Sequence, residues 1–269
     1  MTNSILKVEN ISLAFGGVKA LTDVSFEVKQ GSVFSIIGPN GAGKTSMLNC
    51  ISGRYRPNSG SVIFNDQNVT NLRPNDRADL GMGRTFQNLA LFGHMSVLDN
   101  IMVGRHHQLK NNWITGPLYW FSNAQKEELA HRRKVEEIID FLEISHIRKS
   151  TAGTLSYGLR KRVELARAMA LNPKMILLDD PMAGMNLEEK EDMARYILDL
   201  NEEFGITVVM IEHDMAVVMD ISHEVMVLDF GKKLICGLPD EVMADPHVKR
   251  AYLGIEDDDE DEQIVEEAS

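Results

Sequence analysis

Residues Gly38 to Thr45 read GPNGAGKT, which fits the spacing G-x-x-x-x-G-K-[ST] directly behind the apolar run VFSII. A loop of this composition can bind phosphate. Its glycines let the backbone of Gly38, Pro39, Asn40, Gly41, Ala42 and Gly43 wrap close to phosphate oxygens. Successive N–H groups, continuing through Lys44, Thr45 and Ser46 at the start of the next helix, then face the anion. Lys44 supplies a point charge for β- and γ-phosphates, and the Thr45 hydroxyl can ligate Mg2+. A second stretch, MILLDD from Met175 to Asp180, ends an apolar run on two aspartates. A phosphate loop needs a carboxylate at the end of a neighbouring buried strand to orient Mg2+, and Asp179 supplies it. Asp180, next along the chain, is placed to handle an attacking water. Together the two stretches point to hydrolysis of a nucleotide with Mg2+.

These residues need a sheet to hold them. ILKVENISLAF and VSFEVKQGS alternate and carry β-branched residues, so they predict strands. VFSII, SVIFND, MILLDD, TVVMIEHD and EVMVLDF are short apolar runs suited to buried strands, and DFGKKLICG predicts a hairpin turn with a returning edge strand. Leu129, Val135, Ile138, Ile139 and Leu142 recur at helical spacing, as do Met193, Ile197, Leu200 and Phe204. The second set lies in a segment suited to crossing from one parallel strand to the next. The region from about 88 to 152 shows mostly helical signals and interrupts the strand–helix alternation, as an inserted subdomain would.

Length and composition agree with this. The 269 residues are 43% apolar and 25% charged, enough for a large core domain with an insertion. The net charge is −12, but the stretch 256–269 holds nine acids and no lysine or arginine, which leaves the remainder nearly neutral. A nearly neutral body and an acidic tail argue against a nucleic-acid partner, which needs a clustered basic footprint. The run EDDDEDE predicts a solvated, disordered tail. Cys50 and Cys236 stand far apart and are expected to be reduced, packed thiols. MTNSILKVEN lacks the pattern of a signal peptide, and no window approaches 18 consecutive apolar residues, so work at a membrane would go through a partner. His106 and His107 are adjacent and make a poor metal pair, and the aromatic WITGPLYWF, Trp113 to Phe121, is expected to pack locally or to touch a membrane partner.

The stretch TLSYGLRKRVELARAMALNPKMILLDDP resembles the signature helix and second nucleotide motif of ABC ATPases. The signature there is usually Leu-Ser-Gly-Gly-Gln; here it is Leu155, Ser156, Tyr157, Gly158, Leu159. The resemblance runs from residue 5 to about 254 with the motifs in the family's order. Within the family the chain is similar to the ATPase subunits of branched-chain amino-acid importers, through FGGVKAL, GPNGAGKTSMLNCISG, RTFQNLALFGHMSVLDNI, LSYG, MAGMN, IEHDM and HVKRAYLG. The lipopolysaccharide-export ATPase shares much of this pattern.

The resemblance implies an α/β fold: a P-loop ABC ATPase with a mixed-sheet core, an antiparallel β subdomain and an inserted helical subdomain. The ATPase domain would span 1–254, with the helical subdomain at about 88–170 and the tail at 255–269. It implies that Phe15 stacks on adenine and that Gln87 contacts Mg2+ and the attacking water. Ser156 and Gly158 would bind the γ-phosphate of ATP held by the opposite subunit, and His213 would sense that phosphate. Met185 and Asn186 would lie in the loop crossing the dimer interface. Asp180 takes the place of the family's glutamate, and its carboxylate sits about 1.5 Å farther back. Positioning dominates phosphoryl transfer, so a slow but real ATPase is expected.

The implied partners are membrane permease subunits, a second ATPase (a sister subunit or another copy of this chain) and, indirectly, a periplasmic or extracellular binding protein. The implied location is the cytoplasmic face of the plasma membrane. Two alternatives stay open: a transporter ATPase for another cargo, such as lipids or aromatic acids, and a weakly hydrolysing clamp in a heterodimer, toward which Asp180, Leu159 and Asn186 lean. Deleting residues 256–269 removes much charge and little apolar surface. Melting temperature and phosphate release are expected to change little, and a large loss of either would show that the tail docks.

Overall fold

In the computed structural model, strands buried on both faces carry the molecule, and the sequence shows why. The structure describes residues 3–85, 89–105 and 123–253. Gln87, His106, His107, the stretch 113–121 and the acidic tail lie outside them. In chain order the elements are β1 (Ser4–Phe15), β2 (Val18–Lys29), β3 (Val33–Ile37), α1 (Lys44–Ile51), β4 (Ser59–Phe64), β5 (Gln67–Asn68), α2 (Pro74–Asp79), β6 (Met82–Arg84), α3 (Val97–Gly104) and α4 (Asn123–Phe141). They continue with α5 (Tyr157–Ala170), β7 (Met175–Asp179), α6 (Leu187–Glu202), β8 (Thr207–Ile211), α7 (Met215–Ile221), β9 (Glu224–Asp229), β10 (Lys232–Gly237), α8 (Pro239–Ala244) and α9 (Pro246–Leu253).

Six strands form a mixed sheet in the order β10-β9-β3-β8-β7-β6, parallel except for the antiparallel edge β10. Four form an antiparallel sheet in the order β2-β1-β4-β5. The period-2 alternation of β3 sends Phe34 and Ile36 into a core shared with the antiparallel sheet and α1, and Val33 and Ile37 into a core roofed by α3 to α7. β7 divides in the same way, with Met175 and Leu177 on one side and Ile176 and Leu178 on the other. Burial of both faces is why these strands read as unbroken apolar runs. The mixed sheet, the antiparallel sheet and the helices make up the α/β architecture that the sequence predicts.

The helical periodicities land where expected, with two exceptions. Val135, Ile139 and Leu142 are fully buried, as are Ile197 and Leu200, but Leu129 and Phe204 are half-exposed. Phe204 lies past the end of α6 and meets Phe141 edge-on, with ring centroids 5.0 Å apart. Along the chain, α3, α4 and α5 fall between β6 and β7 and bury their apolar faces in one core. β2 starts at Val18, before the alternation of VSFEVK begins, because ladder pairs such as Ala14↔Lys19 and Leu13↔Leu21 extend the hairpin. Neither cysteine is in a disulfide; burial pushes the Cys50 thiol up to about 11 and that of Cys236 to about 12.

Arg77 of α2 is 1% exposed. Its guanidinium donates to the carbonyls of Cys50 and Ile51 at the end of α1, and to those of Leu72 and Thr70. Burial lowers its pKa to about 10, which still leaves it charged at neutral pH. One cation thus caps the helix that follows the phosphate loop and ties α2 to it. Arg77→Leu removes these donors, leaving the Cys50 carbonyl its backbone N–H bond from Gly53, and is expected to lower unfolding stability by about 3 kcal/mol. Urea denaturation measures this, and an unchanged midpoint would refute it.

Candidate active site

The C-terminal ends of parallel strands are where open α/β sheets place ligands, and three neighbouring strands deliver the candidate residues there. β3 leads into the phosphate loop. Gly38 has φ +144°, and a Cβ there would lie 2.0 Å from the Leu228 carbonyl oxygen of β9. Gly43 has φ +99°, and a Cβ would meet the Ala20 carbonyl at 2.5 Å. Both positions therefore require glycine. α1 then begins at Lys44 with no side-chain cap and no acid in its first turn, which leaves its N–H groups to an anion. Thr45 is exposed in this turn, and Ser46 half-buried.

Lys44 is 6% exposed and folds back over the loop, donating to the carbonyls of Gly38 (2.7 Å) and Pro39 (3.0 Å). Burial lowers its pKa, while the charges of Asp180 and Asp179 act to keep it protonated. Asp179 closes β7 at 2% exposure. Its Oδ2 lies 3.4 Å from Arg84 Nη2 on β6, and its Oδ1 is buried without a hydrogen-bond partner among the described residues. Burial raises the Asp179 pKa, and Arg84 is the main charge resisting this. A desolvated carboxylate oxygen lacking a donor suits a divalent cation, so Asp179 fits the Mg2+ role expected of it; the Thr45 hydroxyl is the second expected ligand. Gln87, the third expected ligand, lies outside the described residues.

Asp180 is 6% exposed and holds φ +48°, the left-handed region that aspartate enters more readily than most residues. Its N–H donates to the Ile211 carbonyl on β8 (3.1 Å), and its Oδ1 lies 3.3 Å from Nε2 of the half-exposed His213. Burial raises its pKa, His213 opposes, and Glu212 and Asp179 add to the rise. Glu212 was not singled out from the sequence. It is buried, accepting the Met182 N–H on Oε1 and the His213 N–H on Oε2, both at 2.8 Å. An acid directly behind the apolar run TVVMI, as Asp179 is behind MILL, was the available signal. Arg84 gave no comparable signal.

Phe15 ends β1 half-exposed and packs edge-on against Tyr55, with centroids 5.2 Å apart, leaving ring surface open for stacking. Ser156 is exposed and caps α5, its hydroxyl accepting from the Leu159 N–H at 3.4 Å. The Leu159 side chain packs against the core under the helices, so the replacement for glutamine is turned to apolar use. Gly158 is buried where a Cβ would sit 2.3 Å from Glu189 Oε1, part of the Asn186–Glu189 capping box of α6. Tyr157 lies against Gly184. Among the described residues, no hydrogen bond joins Ser156 or Gly158 to the phosphate loop of the same chain.

An anion-binding loop from one parallel strand, with carboxylates from the next two strands on one side of it, makes this a P-loop nucleotide-hydrolysing domain. The ABC transporter family model matches residues 21–183, and that of the branched-chain amino acid ATP-binding cassette transporter matches 232–258. The chain belongs to the ABC transporter family and is an ATPase of it. It is 38% identical over 256 residues to the high-affinity branched-chain amino acid transport ATP-binding protein LivG of Escherichia coli (strain K12), covering 94% of this chain and 99% of that one. It is 36% identical, with the same coverage, to the corresponding protein BraF of Pseudomonas aeruginosa. A nucleotide-free ATP-binding cassette superposes with a TM-score of 0.81 at 34% identity, covering 94% of this chain and all of that one. A cassette dimer bound to ADP and Pi gives 0.74 at 26% identity, covering 87% and 98%.

Lys44→Ala removes the cation from the loop without opening the core. Its ATP turnover is expected to fall by about 100-fold or more and ATP binding to weaken, with melting temperature nearly unchanged. Phosphate release and nucleotide titration check this, and unchanged turnover would remove Lys44 from the site.

Proposed function

We propose that the chain is the ATP-hydrolysing subunit of an importer for branched-chain or related amino acids. One observation carries the cargo. Beyond the cassette that transporters of many solutes share, the C-terminal segment 232–258 matches the model described for branched-chain amino acids, and the curated relatives aligned along 94% of the chain bear that description. Two subunits sandwich two ATP molecules, each between the P-loop of one and the α5 N-terminus of the other. The exposed N-terminus of α5 favours this reading, since among the described residues Ser156 and Gly158 make no hydrogen bond to their own loop. Lys44 and the N–H groups from Gly38 to Ser46 bind the phosphates, and Phe15 stacks on the base. Thr45, Asp179 and Gln87 would hold Mg2+, which neutralises phosphate charge when bound. Asp180 accepts the proton of the attacking water, and His213 orients the γ-phosphate.

ADP lacks the group that bridges the subunits, so hydrolysis reopens the pair. Opening and closing drive permease subunits to which the helices α3 to α5 dock, and a binding protein delivers the solute on the far side. Among the described residues no helix is long and apolar enough to cross a membrane. The chain attaches to the cytoplasmic face through the permease, as an ATP-binding subunit of this family would. The domain spans 1–254 with the helical part at about 88–170.

The test is the native membrane complex, isolated through this chain and assayed for ATPase activity with its binding protein. Leucine, isoleucine or valine is expected to stimulate it, and stimulation by none of them, or by an unrelated solute alone, would overturn the cargo. In light scattering, Asp180→Asn is expected to double its mass on adding ATP. No ATP-dependent increase would exclude the homodimer and leave a sister ATPase as partner.

A further inference from the structure

Lys161 stands on α5, beyond the turn that Ser156 caps, and is 3% exposed. A buried ammonium is costly unless its charge and donors are matched. Its Nζ donates to the backbone carbonyl of Asp180 at 3.1 Å, and the Tyr157 ring lies 5.8 Å away. Burial drives it toward neutrality, while Glu164, Asp180, Asp179 and Glu212 hold it charged. The same carbonyl accepts the Ala183 N–H at 3.3 Å, and the Asp180 N–H is held by Ile211. The peptide following the left-handed Asp180 is thereby fixed by a side chain from a different helix.

We propose that Lys161 is a positioning residue for Asp180: its bond to the Asp180 carbonyl sets where the short carboxylate points, and ties that placement to the signature helix of the same chain. A left-handed φ leaves a Cβ-bearing residue prone to relax. Turning the Asp180 peptide swings Cβ and the carboxylate with it. Aspartate has one χ angle fewer than glutamate with which to recover the lost position, so the backbone must be held where the family's longer side chain could adapt. α5 is continuous from Tyr157 to Ala170, so displacing its N-terminus moves Lys161 and its grip together. Phosphate engaging Ser156 in one active site would thus be felt at Asp180 of the other.

The inference rests on ATP hydrolysis through Asp180 and not on the cargo. The test compares Lys161→Gln and Lys161→Met in the full chain, with melting temperature, ATP affinity, kcat and KM measured for each. Methionine keeps the bulk and loses the donor; glutamine keeps an N–H one bond short. The expected order of kcat is wild type, then glutamine, then methionine, with methionine lower by about 10-fold or more and KM within about twofold, since a misplacement near 1 Å costs up to about 100-fold. In the Asp180→Asn background Lys161→Met is expected to add no further loss. A kcat for Lys161→Met within about twofold of wild type overturns the proposal, as does a parallel fall in ATP affinity or full additivity with Asp180→Asn. If Lys161→Met does not fold, Lys161→Gln decides: at least about threefold lower kcat at unchanged KM supports the proposal, and wild-type kcat overturns it. Should Asp180→Asn alone keep turnover, the reading of Asp180 fails instead, and the proposal with it.

Discussion

Asp179, Asp180 and Glu212 crowd three carboxylates into a buried corner at the ends of β7 and β8, and much of the surrounding structure answers that repulsion. Each acid is met differently. Glu212 is saturated by backbone N–H groups, Asp179 leans on Arg84, and Asp180 is faced by His213. Lys44 and Lys161 bring cations in from two helices, and both are buried. The balance is incomplete at Asp179 Oδ1, the oxygen that a divalent cation would satisfy. What is unmet there is a contact and not a charge: among the described residues no donor reaches that buried oxygen.

What the sequence made legible was contiguous chemistry. GPNGAGKT and MILLDD carry their reasons locally, because a loop that wraps an anion needs its glycines side by side and a metal ligand needs its apolar strand directly behind it. Residues that act across the fold were harder to read. β6 is only Met82–Arg84, without an apolar run, and exists because Met82, Gly83 and Arg84 pair with Met175, Ile176 and Leu177. Arg84 reaches Asp179 only once that pairing is known. Lys161 looks like one of several charges on an amphipathic helix until α5 is laid against the turn after β7.

The departures from the family's signature have local explanations. Leu159 trades a polar contact for a place in the core, and Tyr157 fills the space over Gly184, where a side chain would crowd its ring. A Cβ at Gly158 would push the Glu189 carboxylate aside and break the Asn186–Glu189 capping box, so its own chain favours glycine there whatever it does for a partner. A packing preference of the fold and a proposed demand of binding thus coincide at one glycine, and from sequence alone they look the same.

Arg77 has an electrical consequence as well. A helix behaves as about half a positive charge at its start and half a negative charge at its end. In α1 the negative end is met by a buried guanidinium, while the positive end is left uncapped beside the phosphate loop. The eight residues of α1 span about 12 Å at 1.5 Å per residue. That is close to the screening length of ordinary buffers, but the intervening medium is protein and not electrolyte, so mobile ions screen it weakly. Arg77 therefore keeps the negative pole of this helix from weakening the loop's pull on phosphate, and does so through protein that salt does not enter.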